Sequence, residues 1–579
     1  ALLIGSGLAG AVALVMMSPS RMARVLYFIG IGEADPTGAG YQSQHGLWGL
    51  GTGGIWGVGL GASREKWAYL PESHNDFIFA ILGEELGLLG TMVVLLLIGV
   101  GLYFTLRTGF IQVTHFSKGV YVLAHRKSGE TGISPLAAFL LSSAMRVGPG
   151  NILGVTGAIS VGGPGALFWM WVSATFGMAT AYTEAVLAQI FKEKKNDEFV
   201  GGLPFYGRKL LGDAPTAGVA LSIMYIVYAM CCIPAQGFNV VSSITQMGSI
   251  FVGAELPAAG TFAYVTAVAI VAFTAWIAFG GIKAVTRVTN GMVPVMAILY
   301  MVIVLGLVVL NLDQLPYFFS VVFSGAFTPE AVFGGAFGLC LVQGVKRGLM
   351  SNEAGQGTIT MAAACSDAKH PCEQGIVQAI GVFLDTHVIC TLTGFVVIMA
   401  HLWAGADGAG WLALGKLPRF LVSAQALTPI ASLNGIIAFL LTFCFCLFAL
   451  TCLVGMISFS EIAANRISRS ASFINGIRIL GIFITTFGII CSLAGIDLGN
   501  LWSISDLGNI LIVFANLPLL MIGAKYVLRA TAHYKLEDGT AFSSKVIDWT
   551  NGSLWWDGHP EMHNDPDDPE LEKKLEPAK

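Results

Sequence analysis

Charge is what this chain has least of. Of its 579 residues, 11% are charged and 55% are hydrophobic, whereas a soluble domain carries roughly a quarter charged residues. A water-soluble globule is thereby excluded. The net charge of −4 is spread over loops and a tail, so no basic face is offered to a nucleic-acid partner. Paired cysteines are missing too. The ten cysteines sit mostly inside apolar runs, such as Cys231-Cys232 and Cys444/Cys446. No C-x-x-C occurs, and Cys365 and Cys372 lack partner ligands at zinc spacing. They read as small buried hydrophobes. The chain starts within an apolar run, with neither an initiator Met nor a signal peptide, as a fragment would.

What is present is apolar length. Runs such as Leu86–Phe104, Thr261–Gly280 and Met292–Leu312 approach the ~20 residues that cross a bilayer. The 72 glycines suit close helix contacts among membrane lipid. The pattern predicts about twelve helices. Helix a covers about 1–17 and helix b about 84–106. Ten more lie near 134–160, 164–192, 215–252, 260–281, 289–312, 331–358, 374–402, 429–461, 472–494 and 500–528. A polar tail from about 535 is expected to bury no core and to be disordered near its Glu-, Lys-, Asp- and Pro-rich end.

Basic residues orient the set. Arg107, Lys118, Arg126 and Lys127 lie between helix b and the first of the ten. Lys192, Lys194, Lys195, Arg208 and Lys209 follow the second, and Lys283 and Arg287 separate the fourth from the fifth. Arg466, Arg469 and Arg478 surround the eighth-to-ninth turn, and Lys525, Arg529 and Lys535 follow the last. If the ten alternate, all of these fall on one side, which the positive-inside rule makes cytoplasmic, along with the C-terminus. Arg21 and Arg24 fall on the other side.

The ten helices divide into two halves of five, each opening with a glycine-interrupted helix. The first interruption is Arg146-Val-Gly-Pro-Gly-Asn151. The second is expected at Gln343-Gly-Val-Lys-Arg-Gly348, continuing to Asn352-Glu-Ala-Gly-Gln-Gly357. One such helix would mean only eased packing. Two at matching places point to an inverted-repeat transporter with its site near the midplane. An unwound stretch exposes N–H groups and a positive dipole end, which suit a carboxylate. It also frees carbonyls, which suit a small hard cation. A zwitterionic amino acid with Na⁺ fits such a site. Gly148 and Gly150 allow close approach, and Pro149 cannot continue the hydrogen-bond ladder. Gln236, after Pro234, is either a ligand or half of an interhelical hydrogen bond. Asp385-Thr386 sits where an unpaired carboxylate is costly, so pairing, protonation or a place near a helix end is expected. Arg146, Lys346, Arg347 and Glu353 flank the breaks, either as gate-holding pairs or as helix-end charges.

These residues resemble the alanine/glycine:cation symporter family, the sodium:alanine symporters. The matching stretches are Gly101-Leu-Tyr-Phe-Thr-Leu-Arg-Thr-Gly109, Arg146-Val-Gly-Pro-Gly-Asn-Ile152 and Gly162-Gly-Pro-Gly-Ala-Leu-Phe-Trp-Met-Trp171. Three more follow: Gly344-Val-Lys-Arg-Gly-Leu-Met-Ser-Asn-Glu-Ala-Gly355, His370-Pro-Cys-Glu-Gln-Gly375 and Gly381-Val-Phe-Leu-Asp-Thr386. The resemblance covers 96–535. It implies an all-α polytopic membrane protein of the LeuT type, a 5+5 inverted repeat with two broken helices. About two extra helices and a re-entrant-type loop precede it. It further implies Na⁺-coupled uptake of a small neutral amino acid across the bacterial cytoplasmic membrane. By resemblance Gly148, Gly150 and Asn151 hold the substrate carboxylate, and Gln236, Cys452 and Met456 face the substrate. Thr451 joins carbonyls near Ala144 and Val147 at a sodium site. Three departures stand out: Cys452 replaces a usual Thr, Met456 a usual Trp, and Pro149 a commoner Thr. Sulfur is a poor sodium ligand, so proton coupling is the runner-up. A thioether is narrower than an indole, so serine or a modestly larger residue is as admissible as alanine or glycine.

Residues 1–95 resemble the late part of a SEDS peptidoglycan glycosyltransferase of the FtsW/RodA type. The resemblance rests on Pro36…Gly40-Tyr-Gln42, Gly51-Thr-Gly-Gly54, Gly57-Val-Gly-Leu-Gly61, Leu70-Pro-Glu-Ser-His-Asn-Asp-Phe-Ile-Phe79 and Gly83-Glu-Glu-Leu-Gly87. It places that family's essential aspartate at Asp76. Most of that family's helices are absent, so this part is expected to be inactive, a fragment fused to the transporter. The rival readings are a lipid II polymerase carried by 1–95, and a non-transporting sensor whose output is the tail 536–579.

Overall fold

Apolar segments of 19 to 38 residues have one way to satisfy their backbone in hydrocarbon, which is to be helical. The computed structural model follows that rule. It describes residues 52–54, 92, 96–125, 132–195, 198–327, 336–403, 408–496 and 498–559. Helix a, the loop with Asp76, most of the first half of helix b, and 560–579 lie outside the described residues.

Helix α1 (Leu96–Arg107) completes helix b, and α2 (Phe116–His125) follows. Next come α3 (Pro135–Arg146), a π-helical turn Gly150–Gly154, α4 (Val155–Gly162) and α5 (Ala166–Ile190). An antiparallel pair, β1 (Glu193–Lys195) and β2 (Glu198–Val200), closes that end. The chain continues through α6 (Pro215–Val252), α7 (Thr261–Phe279), α8 (Gly281–Leu310) and α9 (Leu315–Phe327). It then runs through α10 (Ala336–Asn352), α11 (Ile359–Ala364), α12 (Pro371–Val382), a π-helical stretch Phe383–Cys390, and α13 (Thr391–Met399). The last helices are α14 (Lys416–Ala426), α15 (Asn434–Ala464), α16 (Ala471–Leu493) and α17 (Leu498–Tyr534). Among the described residues seven helices are long and apolar enough to span a membrane, or eight if the bent pair is one span. The ten expected segments all appear as helix. The fifth begins earlier than expected, at Gly281, and the tenth runs on to Tyr534.

Both interrupted helices are interrupted. α3 and the Gly150–Gly162 segment meet at 48°. The second break is shorter than the sequence suggested. Gln343–Gly348 is continuous helix within α10, and the chain unwinds only at Glu353–Gly357. There Glu353, Gly355 and Gly357 have φ of 56°, 89° and 73°. The two broken helices pack with α5 and α12, while α6 packs along α15, α16 and α17. Close approach sets the second group. A Cβ at Gly488 would lie 2.0 Å from the Pro234 carbonyl oxygen, so α16 can meet α6 there only as glycine.

The tail departs from expectation. Over 536–559 it folds back and buries Phe542, Ile547, Trp549, Leu554 and Trp556. Trp556 Nε1 donates to the Gln189 carbonyl (2.9 Å), and Trp549 stacks edge-on against Phe191 and Tyr526. Lys192, just past the end of α5, lies 4.0 Å from the Phe199 ring centre and 4.4 and 4.5 Å from those of Trp555 and Trp556. Its Nζ donates to the Ser366 carbonyl (3.2 Å). Burial pushes this ammonium down to about 7, and the aromatic faces oppose that by favouring the charged form.

Candidate functional site

The two breaks line one cavity. The first break supplies Met145, Arg146, Gly148, Pro149 and Gly150, and the second supplies Met350 and Glu353. α6 adds Tyr228, Cys232 and Gln236, α15 adds Cys452 and Met456, and α17 adds Trp502, Ser505 and Asn509 at one-face helical spacing. Of the residues expected around a substrate, Gly148, Gly150, Gln236, Cys452 and Met456 therefore all line this cavity. At Gly148 an added Cβ would sit 3.3 Å from the Met145 carbonyl oxygen, so the backbone is presented bare. Gln236 is 4% exposed. Its Oε1 has no hydrogen-bond partner among the described residues, so the interhelical bond open to it is not made through that oxygen.

Asn151 is placed differently. It is fully buried and is not among the residues lining the cavity. Its Oδ1 accepts the Gly148 N–H (3.1 Å) and its Nδ2 donates to Asp385 Oδ1 (2.5 Å). Asp385 Oδ2 accepts from Ser351 Oγ (2.5 Å) and Thr386 Oγ1 (2.9 Å). One buried carboxylate thus ties the first break to the end of α10, just ahead of the second. This pairing answers the cost of its burial.

The second break is held from outside. Glu184 on α5 accepts the Gly357 N–H (2.8 Å) and an Asn516 N–H (2.5 Å). Asn516 Nδ2 also donates to the Gly355 carbonyl (2.9 Å). Backbone groups freed by unwinding find side-chain partners, as a site without water requires. Arg146 donates from Nη1 to the Gln378 carbonyl (3.0 Å), with the Asp385, Glu353 and Glu184 carboxylates nearby. Lys346 pairs with Asp506 (2.6 Å), and Arg347 lies 4.0 Å from the same carboxylate. Burial, then Arg347 beside it, pushes the Lys416 ammonium of α14 down to about 8.

The remaining expected residues lie on the α3 and α15 faces. Ala144, Val147 and Thr451 are buried. The Gly148 N–H donates to the Arg146 carbonyl (2.8 Å), and the Asn151 N–H to that of Gly148 (3.1 Å). In an unbroken helix these two donors would have served Ala144 and Val147. Thr451 Oγ1 donates to the Leu447 carbonyl (2.9 Å), which leaves its lone pairs to accept a cation. The chemistry of this donor set fits a small hard ion. Cys452 Sγ beside it does not.

Glu184, Ser351, Asn516, Tyr228, Trp502, Ser505 and Asn509 were not singled out by sequence. Only Glu184, a lone acid in an apolar helix, carried a readable signal.

Comparison with known proteins agrees with this architecture. The model of the sodium:alanine symporter family matches residues 77–546, and a cell cycle protein model of the FtsW/RodA/SpoVE type matches 1–124. The amino-acid carrier protein AlsT of Bacillus subtilis is 35% identical, covering 74% of this chain and 86% of its own. The probable sodium/glutamine symporter GlnT of the same organism is 32% identical, over 82% of this chain and 95% of its own. The sodium/alanine symporter AgcS of Methanococcus maripaludis is 37% identical, over 54% and 69%. The crystal structure of MhsT in complex with L-phenylalanine superposes with a TM-score of 0.52 at 15% identity, covering 70% of this chain and 93% of MhsT. That likeness fixes the fold as LeuT-like.

Proposed function

We propose, for a chain that belongs to the sodium:alanine symporter family, that it takes up a small neutral amino acid together with Na⁺ by alternating access. It is a multi-pass membrane transporter rather than an enzyme. The observation that carries the finer reading is the cavity between the two broken helices, lined by bare backbone at Gly148 and Gly150 and by Gln236, Cys452 and Met456.

In this reading the substrate carboxylate lies against the backbone at Gly148–Gly150, where a helical segment begins and its dipole favours an anion. Na⁺ is a co-substrate held by the Ala144 and Val147 carbonyls and the Thr451 hydroxyl, hard oxygens suited to a hard ion. Asn151 acts one step back, fixing the shape of the break through Asp385. Relatives are named for alanine and for glutamine, so side-chain length is a variable within the family. A flexible thioether at Met456 favours a small residue without a sharp limit at methyl. The C-terminus lies in the cytoplasm, by the distribution of Lys and Arg.

The test is uptake of radiolabelled alanine, glycine, serine and glutamine into vesicles with and without an imposed Na⁺ gradient. Accumulation of a small neutral amino acid only with inward Na⁺ is expected. Equal uptake in choline or potassium buffer refutes the sodium assignment and leaves proton coupling.

A further inference from the structure

Two residues that line the substrate cavity each carry an acceptor oxygen that no protein donor reaches. Gln236 Oε1 is one. The other is Glu353 Oε1: the Glu353 carboxylate takes one hydrogen bond, from Thr358 Oγ1 to its Oε2 (2.7 Å), and Oε1 has no hydrogen-bond partner among the described residues. Glu353 is 5% exposed. The residue is also held at φ 56°, a left-handed backbone conformation that is costly for a residue with a Cβ. Glycine or asparagine would sit there more easily. A charged side chain kept at a strained position, buried, half-bonded and turned to a cavity, is poorly explained by packing.

The surrounding charge points the same way. Three carboxylates, Asp385, Glu353 and Glu184, lie near the buried Arg146 guanidinium, whose Nε and Nη2 have no hydrogen-bond partner among the described residues. Asp385 is saturated by Asn151, Ser351 and Thr386, and Glu184 is turned to the Gly357 and Asn516 donors. Glu353 is the carboxylate of the three that lines the cavity. We infer that Glu353, with Gln236, receives the α-ammonium of the substrate. This makes Glu353 a specificity-determining residue that selects α-amino acids over other small carboxylates. An ammonium has three donors to place, and a carboxylate oxygen with an amide oxygen supplies acceptors opposite the backbone of Gly148–Gly150. A zwitterion then fits the cavity in one orientation, its carboxylate on the first break and its ammonium at the second.

The inference rests on reading this cavity as the amino-acid site, and the experiment separates the two. The full-length chain in proteoliposomes is loaded with a Na⁺ gradient, and uptake of radiolabelled L-alanine is competed with unlabelled L-alanine, propionate and N-methylalanine. Absence of uptake of any neutral amino acid overturns both readings. Uptake with propionate competing as well as alanine overturns the inference alone. Uptake with propionate at least about a hundredfold weaker supports it, since a buried charged partner left unpaired is heavily penalised. In Glu353→Gln the KM for alanine should rise about tenfold or more, while the half-saturating Na⁺ concentration stays within about twofold. Glu353→Asp should restore part of that loss. An unchanged alanine KM in Glu353→Gln, or a shift confined to Na⁺, overturns the assignment. If Glu353→Gln does not fold, the competition on the native chain still decides.

Discussion

Removing the Asp385 carboxylate should loosen both broken helices at once, and by an amount that depends on what replaces it. Three donors converge on this side chain: Asn151 Nδ2, Ser351 Oγ and Thr386 Oγ1. Hydrogen bonds to a charged group contribute about 1.5–3 kcal/mol each. Asp385→Asn keeps the shape. Its oxygen can still accept from Asn151, whose own oxygen is committed to the Gly148 N–H. Its new N–H groups can be accepted by the Ser351 and Thr386 hydroxyls, which rotate to suit. The expected loss is therefore only about 1–2 kcal/mol, the charge-assisted part of the bonds. Asp385→Ala leaves a buried amide and two hydroxyls without their acceptor and deprives Arg146 of a nearby anion, so the loss should reach about 3–5 kcal/mol. Asn151→Ala removes one bond of the three, and the double variant Asn151→Ala/Asp385→Ala should be less than additive by about 1–3 kcal/mol. The assay is denaturant unfolding in mixed micelles for the four members of the cycle, with alanine uptake in parallel. Additivity within about 0.5 kcal/mol, or an Asp385→Ala variant as stable as the parent, would refute the claim that this carboxylate fastens the first break.

Thr451→Ala should raise the half-saturating Na⁺ concentration about tenfold, the effect of losing one of a few hard oxygen ligands, with alanine KM at saturating Na⁺ nearly unchanged; an unaltered Na⁺ titration would remove Thr451 from the ion site. Met456→Trp should shift competition profiles toward glycine and alanine by about ten- to a hundredfold relative to longer side chains, since one methylene in such a pocket is worth ~1–3 kcal/mol; superimposable profiles would mean that Met456 does not select the side chain. The docked tail should tighten as pH rises. Lys192, lowered by burial to about 7 from 10.5, is neutral in the docked form above that value while the released form still binds a proton, so the linkage favours docking across the interval between the two. Protease protection of the 536–559 segment should then increase from pH 6.5 to 9, and Lys192→Met should flatten the profile; the same pH slope in that variant would place the titrating group elsewhere.

How much of this was readable in advance varies with what fixes each feature. The ten helical segments were legible because hydrocarbon leaves the backbone no alternative to a helix. The first break was legible because Pro149 removes an N–H between two glycines. The second was misplaced by a few residues, and the glycines explain why. A Cβ at Gly344 would lie 2.5 Å from the Ala166 carbonyl oxygen, and one at Gly348 would lie 2.3 Å from Ser173 Oγ. Those two glycines let α10 press against α5 and leave its helix intact. Gly355 and Gly357 are the ones with positive φ. A glycine that serves packing and a glycine that breaks a helix look alike in a sequence. The 536–559 segment was misread for a different reason: its polar average hides Trp549 and Trp556, which are buried, and Trp555, which packs beside Lys192.

The role of Asn151 could not be read locally, since its partner Asp385 is 234 positions away. The same separation explains how the site divides its labour. Every break frees donors and acceptors, and the protein satisfies some of them itself: the Gly148 N–H through Asn151, the Gly357 N–H through Glu184, the Gly355 carbonyl through Asn516. Those groups hold the shape. Others are left over. The Ala144 and Val147 carbonyls lose their usual donors, which turn to Arg146 and Gly148, Gln236 Oε1 has no protein donor among the described residues, and of the Glu353 oxygens Oε2 alone is shown with one, from Thr358. All four are acceptors. Arg146, which lines the same cavity, keeps Nε and Nη2 without a protein partner among the described residues, so the layer holds donors that suit a carboxylate as well as acceptors that suit a cation or an ammonium, and a zwitterion carried with Na⁺ answers both needs only when both are bound.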